Sequence, residues 1–342
     1  MAQTYLSARR GALYVLTQAS DNTYLAPTQA SDKALACMDF SLSWEGGVQR
    51  VEDDLTPYGG GSLPYMADIA ATFKIKLRLP AWPGSQNAAD LPAWAALLAA
   101  MPLTGDYSGS GTAVFTPTTT QTIGASGGIK PASLTFLETG GDVWTLQDCV
   151  AIIDQITDEN GALVVEVSGL GLLRSLALTV RTLASASLTI ADVAYTSVSP
   201  LPSRGAALTL TGLSGSGTYA LRPGFAINPG MKLDAQPDRL STFGFAVAAV
   251  TNPGNAVLAC KVTKLDESGA AWPDAYLQQT ALSACVLTWG SGASAFRASL
   301  GTAIRVATCS PGEDAGVRTL DLELVGTPTS AGNDQYSIQW GA

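Results

Sequence analysis

Apolar and polar positions alternate over much of this chain. Between residues 70 and 79, Phe73, Ile75, Leu77 and Leu79 share one side and Thr72, Lys74, Lys76 and Arg78 the other. This period of two is the signature of a half-buried strand, here with a basic outer face. Residues 132–137, 142–146 and 162–167 continue the pattern, punctuated by Gly140-Gly141 and by Asp158-Glu159-Asn160-Gly161. The Asn-Gly step predicts that 150–156 and 163–167 pair antiparallel, across a two-residue turn or a somewhat longer loop. One helix is predicted in the first half. Asp90 is placed to cap it, Pro92 lies in the tolerant first turn, Trp94, Leu97, Leu98 and Met101 recur at helical spacing, and Pro102 stops the run.

After Leu170-Gly171 the alternation loosens, and 172–190 reads as a linker leading into a strand. A second sheet-rich block follows, with strands expected at 206–210, 242–250, 257–265, 285–289, 304–308, 319–325 and 335–340. Turn formers bound them, as in Asn252-Pro253-Gly254-Asn255 and Ser310-Pro311-Gly312. Two β-rich domains, 1–175 and 176–342, are the simplest division of a 342-residue chain. Gly109-Ser110-Gly111-Thr112 recurs as Gly215-Ser216-Gly217-Thr218, and Ala81-Trp82-Pro83 as Ala271-Trp272-Pro273, at different offsets. These short phrases leave open whether one half duplicates the other.

Residues 48–66, VQRVEDDLTPYGGGSLPYM, read as a long Gly/Pro-rich loop. A segment of that length without regular structure is kept in a compact domain when it has a job. In an oligomer it would reach a neighbour, with Tyr58 and Tyr65 supplying amphipathic contact area.

Composition narrows the chemistry. Hydrophobic residues make up 46% of the chain, enough for substantial cores, and charged residues only 14%, against roughly 25% in an average domain. So little charge predicts a surface largely covered by neighbours. The net charge of −9 argues against a protein built to neutralise phosphates, and the absence of His removes the commonest general base and metal ligand. Cys37, Cys149, Cys260, Cys285 and Cys309 are too far apart for zinc or redox motifs and read as reduced thiols. Glu52-Asp53-Asp54 lacks the spacing of a cation loop, and Gly59-Gly60-Gly61-Ser62 lacks the lysine of a phosphate loop. Asp154, Asp158 and Glu159 border the predicted hairpin and read as turn-edge carboxylates. Trp82, Trp94, Trp144 and Trp289 are expected as core or interface anchors. No catalytic, cofactor-binding or metal-binding residues are assigned. Neither a signal peptide nor a membrane-spanning run is read.

Several phrases stand in a definite order: 12–27 (ALYVLTQASDNTYLAP), 38–42 (MDFSL), 50–59 (RVEDDLTPYG), 92–98 (PAWAALL), 143–169, 254–257 (GNAV) and 327–336 (TPTSAGNDQY). Together they resemble the two-domain major tail tube proteins of long-tailed, siphovirus-like bacteriophages. That resemblance implies a mainly β fold: a tail-tube-like β-sandwich or barrel with a flanking helix and long loop, plus a second, tube-like β-rich domain. It implies a non-enzymatic virion protein, assembled in the host cytoplasm into hexameric rings that stack into a tube. Three chains would also close a ring if both halves occupied equivalent places. Implied partners are further copies of the chain, a tape measure protein inside the tube, tail terminator and distal tail proteins, and passing double-stranded DNA bound without sequence specificity.

Within that picture, Asp53, Asp54, Tyr58, Gly59, Gly60, Gly61 and Tyr65 are expected at the contact between rings, and Asp154, Asp158 and Glu159 at the lumen, where carboxylates would repel DNA phosphates. Lys74, Lys76 and Arg78 are expected to meet a neighbour's acidic edge. A tail terminator or hub connector, or a carbohydrate-binding β-domain, are the competing functions.

Overall fold

The computed structural model describes residues 11–19, 23–28, 32, 34–35, 37–51, 63–79, 93–105, 113–118, 128–138, 143–177, 206–211, 217–237, 245–251, 254–263, 271–290, 295–301, 303–329 and 332–340. The fold is mainly β, as the alternation predicts. In chain order the first half supplies β1 (Gly11–Thr17), β2 (Asp39–Val51), β3 (Leu63–Arg78), α1 (Ala93–Ala99), β4 (Leu103–Gly105), β5 (Ala113–Pro117), β6 (Ala132–Glu138), β7 (Val143–Glu159) and β8 (Ala162–Ala177). The second supplies β9 (Ala207–Thr211), β10 (Gly217–Ala220), β11 (Ala226–Asn228), β12 (Lys232–Pro237), β13 (Phe245–Thr251), β14 (Ala256–Thr263), α2 (Ala271–Gln278), β15 (Ala284–Trp289), β16 (Phe296–Leu300), β17 (Ala303–Asp314), β18 (Val317–Thr327) and β19 (Tyr336–Trp340).

Two antiparallel sheets dominate. The larger runs β17-β18-β14-β11-β7-β8-β3-β2, with β6 also pairing β7 and β1 pairing β6. The other runs β10-β9-β15-β16-β19-β5-β4. Each sheet contains strands from both sides of residue 176: β11 joins β7 in the first, and β19 joins β5 in the second. Apolar faces of both sheets meet in one core, where Trp94, Phe115, Trp289, Phe296 and Trp340 are each at most 1% exposed. Trp340 sits at its centre, edge-on to Trp94, Phe115 and Phe296 at centroid distances of 6.2, 5.6 and 5.1 Å. Such aromatic pairs add roughly 0.5–1.5 kcal/mol each beyond area burial.

The larger sheet is a tandem of one four-strand unit. Placing Ala71 of β3 on Ala256 of β14 and Gly171 of β8 on Gly326 of β18, a shift of 185 in one strand and 155 in the other, brings both ladders into the same register. Lys76↔Glu166 then falls on Lys261↔Asp321, and Phe73↔Gly169 on Leu258↔Leu324. The 185 shift also places β2 on β11: Ser41↔Lys74 falls on Ala226↔Ala259, and Leu42↔Phe73 on Ile227↔Leu258. Both hairpins close with two left-handed residues, Asn160-Gly161 (φ 52° and 80°) and Ala315-Gly316 (φ 49° and 78°), the turn whose twist matches its flanking strands. The halves are therefore structurally duplicated over β2-β3-β7-β8 and β11-β14-β17-β18. A helix follows β3 and β14 alike, and both helices open on Ala-Trp.

Several expectations are corrected. The interval 48–66 is not one loop, because β2 runs to Val51 and β3 starts at Leu63, their ends paired through Gln49↔Tyr65 and Val51↔Leu63. Residues 172–177 belong to β8 rather than to a linker. Ser310-Pro311-Gly312 lies inside β17 instead of ending it, since a strand at the sheet's edge loses nothing inside the ladder when one N–H is missing. A second helix, α2, occurs where none is predicted. Its signals are Pro273 in the first turn and Asp274 beside it. The predicted helix α1 is present with Trp94, Leu97 and Leu98 buried, while its expected cap Asp90 lies outside the described residues.

Candidate functional site

Strand alternation gives the larger sheet one face on the shared core and an opposite face that is polar along β2, β3, β14 and β18. Ala71, Phe73, Ile75 and Leu77 enter the core, so Thr72, Lys74, Lys76 and Arg78 stand on the other side. The ladder sets Asp39 and Ser41 of β2 beside Lys76 and Lys74, and Glu166 and Ser168 of β8 on their other flank. Across the repeat, Lys261 of β14 faces Asp321 of β18, and Glu323 stands opposite Ala259 and Thr308. The result is a face on which carboxylates and cations share one surface along β2, β3, β14 and β18, interrupted on β7 and β8 by a buried apolar patch, Val150, Ile152, Leu170 and Leu172, that Met231 and Leu233 cover.

Two cations on this face, Lys76 and Lys261, are paired within the chain. Lys76 Nζ bridges Glu159 and Glu166, the latter at 3.1 Å, with both partners about one-third exposed. Gln155 Nε2 donates to Glu166 Oε2 at 2.8 Å, and that bond, with the Lys76 ammonium, holds the Glu166 carboxyl below its ordinary range. The same carboxylates push the Lys76 ammonium up. Lys261 Nζ lies 3.8 Å from Asp321 Oδ2, the equivalent pair of the second unit. Lys76 therefore already has partners in its own chain, which revises the expectation that it waits for a neighbour's acidic edge.

The three carboxylates expected at a lumen do not form one cluster. Asp154 sits at a bulge of β7, between Ile153 and Gln155, and accepts a hydrogen bond from Ser168 Oγ. Burial raises its pKa, against the pull of Ser168 and of Lys74. Glu159 is tied to Lys76. Asp158 pairs in the ladder with buried Leu163, so by strand alternation it projects from the other side of β7. Asp39, Glu166, Asp321 and Glu323 join the face instead. Their sequence signal is the alternation of Asp321 and Glu323 with Leu320, Leu322 and Leu324.

Of the residues expected between rings, Tyr65 is on β3, while Asp53, Asp54, Tyr58, Gly59, Gly60 and Gly61 lie outside the described residues. The five cysteines are free, with Cys149, Cys260 and Cys285 buried and Cys37 and Cys309 half-buried. Burial drives the Cys260 thiol up to about 12, so these are packing groups and not nucleophiles. Trp94 and Trp289 are core residues; Trp144 is half-buried and Trp82 is outside the described residues. Between the sheets, a cavity of about 10 Å³ lined by Ile227, Leu258, Leu287 and Ile338 has no room for a ligand. Among the described residues no group of three Asp, Glu or Cys side chains is placed to hold a metal ion.

The remaining feature is the pair of outer strands. Among the described residues, β2 and β17 end the larger sheet without a strand on their outer sides. No family model and no curated protein matches this chain.

Proposed function

We propose that the chain is a structural subunit of a bacteriophage tail tube, forming stacked rings that conduct DNA in the virion tail. The observation that carries this reading is the doubled four-strand unit, which makes one sheet with an apolar face on the core, a partly polar face opposite and, among the described residues, an unpaired strand at either end. A sheet with two open edges invites pairing, and closure with copies of itself satisfies both edges at once. The uncovered, polar part of that face then lines the channel. Its acids among the described residues, Asp39, Asp154, Glu159, Glu166, Asp314, Asp321 and Glu323, exceed its bases, Lys74, Lys76, Arg78, Lys261 and Arg305, in keeping with the net charge of −9. Such a wall repels duplex phosphates weakly at each contact and repeatedly along its length. The tape measure protein, the terminator and the distal tail proteins are the partners this role requires.

The resemblance implies six chains per ring. The doubled unit favours three, because three chains supply six equivalent units. Electron micrographs of the purified full-length chain are expected to show rings and tubes, and their rotational symmetry gives the chain number. A single ring that never stacks would favour a terminator or hub connector. A strict monomer that binds glycans would favour the carbohydrate-binding reading. Asp39→Asn with Glu323→Gln is expected to leave assembly intact and to increase retention of duplex DNA at low salt. Tubes whose channel is predominantly positive would overturn the charge argument.

A further inference from the structure

The strand order contains an instruction for the free edges. In the path β17-β18-β14-β11-β7-β8-β3-β2, the last strand of the first unit, β11, lies antiparallel on the first strand of the next, β7, with Ala226 opposite Thr157 and Ile227 opposite Ile156. By the register equivalence, β2 is the counterpart of β11 and β17 the counterpart of β7. The joint inside the chain is thus made by the same two kinds of edge that the chain leaves open.

We infer that β2 of one copy pairs antiparallel with β17 of the next, head to tail, with Ser41 opposite Gly312 and Leu42 opposite Pro311. These positions follow from the internal joint by the shifts of 185 and 155 that superpose the units. Side-chain burial supports the assignment. At the internal joint Phe225, Ile227 and Ile156 are 2%, 4% and 1% exposed. Their counterparts on the free edges, Phe40, Leu42 and Pro311, are half-buried, half-buried and exposed. Phe40 already stacks on Phe136, with ring centroids 4.4 Å apart, and the seam covers what remains open of Phe40, Leu42 and Pro311. Pro311 has no N–H, so it blunts β17 against indiscriminate pairing, while a joint as short as that made by three-residue β11 tolerates it. The inference goes beyond the tube reading by naming the edges and their register, and it holds for any ring built from this chain.

A disulfide across the seam tests it. In the full-length chain with Cys37→Ser and Cys309→Ser, the pair Ser43→Cys and Ser310→Cys occupies opposed positions of the inferred register, both exposed. Inside one chain these strands are the two ends of an eight-strand path and are not neighbours, and a bond that joins two copies is told from one within a chain by its doubled mass on a denaturing gel. Mild oxidation of assembled protein is expected to give a ladder of covalent oligomers ending in a closed ring. Each single variant, and the off-register pair Ser43→Cys with Thr308→Cys, should give several-fold less. Hydrogen exchange on the unsubstituted chain is expected to slow at 39–43 and 308–312 on assembly, independently of any variant's folding. Tubes without the ladder or this protection overturn the seam and leave the tube reading intact. Rings that cross-link but never stack support the seam and count against the tube reading; a chain that stays monomeric overturns both.

Discussion

Glycine and charge decide different things at the level of single residues. The aromatic ring of Phe73 lies across Gly169, where an added Cβ would sit 1.9 Å from the Phe73 Cζ. Gly169→Ala is therefore expected to cost about 1–3 kcal/mol by forcing that ring out of its place, read as a lowered midpoint in thermal unfolding. The Lys76 cluster is partly exposed and contributes below about 1 kcal/mol, but its pH dependence has a definite sign. Because the folded-state pKa of Glu166 is lowered from its usual 4.5, its contribution is present above 4.5 and is lost as pH falls through the folded value. Lys76, raised above 10.5, contributes below 10.5 and loses its share as pH rises through its folded value. Glu166→Gln should accordingly lower stability near neutrality and match the unsubstituted chain in acid; an equal gap at all pH values would argue that packing, not charge, is involved.

Between elements, the two hairpins make a controlled comparison. Asn160 and Ala315 occupy the same left-handed turn position, at φ 52° and 49°. Asn tolerates that region and Ala does not, at a cost of roughly 1 kcal/mol. Ala315→Asn is expected to stabilise the β17–β18 hairpin by about 0.5–1 kcal/mol, visible as slower exchange of its amide protons, with no change at β7–β8. Asn-Gly was the part of this motif that could be read directly, and it correctly predicted the first hairpin. Ala-Gly carries no such signal, so the second turn and the full length of β17 were hidden. Pro311 reads locally as a strand end as well, since only a strand's place at the sheet's edge makes an internal proline harmless.

For the whole molecule, the two halves complete one another. Removing everything after Ser175 takes away β11 from the side of β7 and β19 from the side of β5, and uncovers Trp94 and Phe115 where Trp340 now packs. A 1–175 fragment is expected to lose near-ultraviolet circular dichroism and to aggregate on size-exclusion chromatography. A monomeric, cooperatively unfolding fragment that builds normal tubes would defeat this view and the idea that the second half is part of the wall.

Local pattern alone determined the strand-rich class, the apolar side of β3, the helix at Trp94 and the first hairpin, because alternation, spacing and turn chemistry act over a few residues. Composition determined that histidine-based catalysis is absent, whatever the fold. The duplication was decided in tertiary structure: its repeat keeps burial, register and the pairs Lys76–Glu166 and Lys261–Asp321, but retains few identities. The recurring GSGT and AWP phrases run at offsets other than those of the equivalent strands. Sheet pairing constrains which side of a strand is apolar and which cross-strand partner it meets, and many side chains satisfy that. Tertiary structure also assigned Lys76 to carboxylates 83 and 90 positions away, and identified β2 and β17 as the open edges among the described residues, because an edge is defined by the strands that are not beside it.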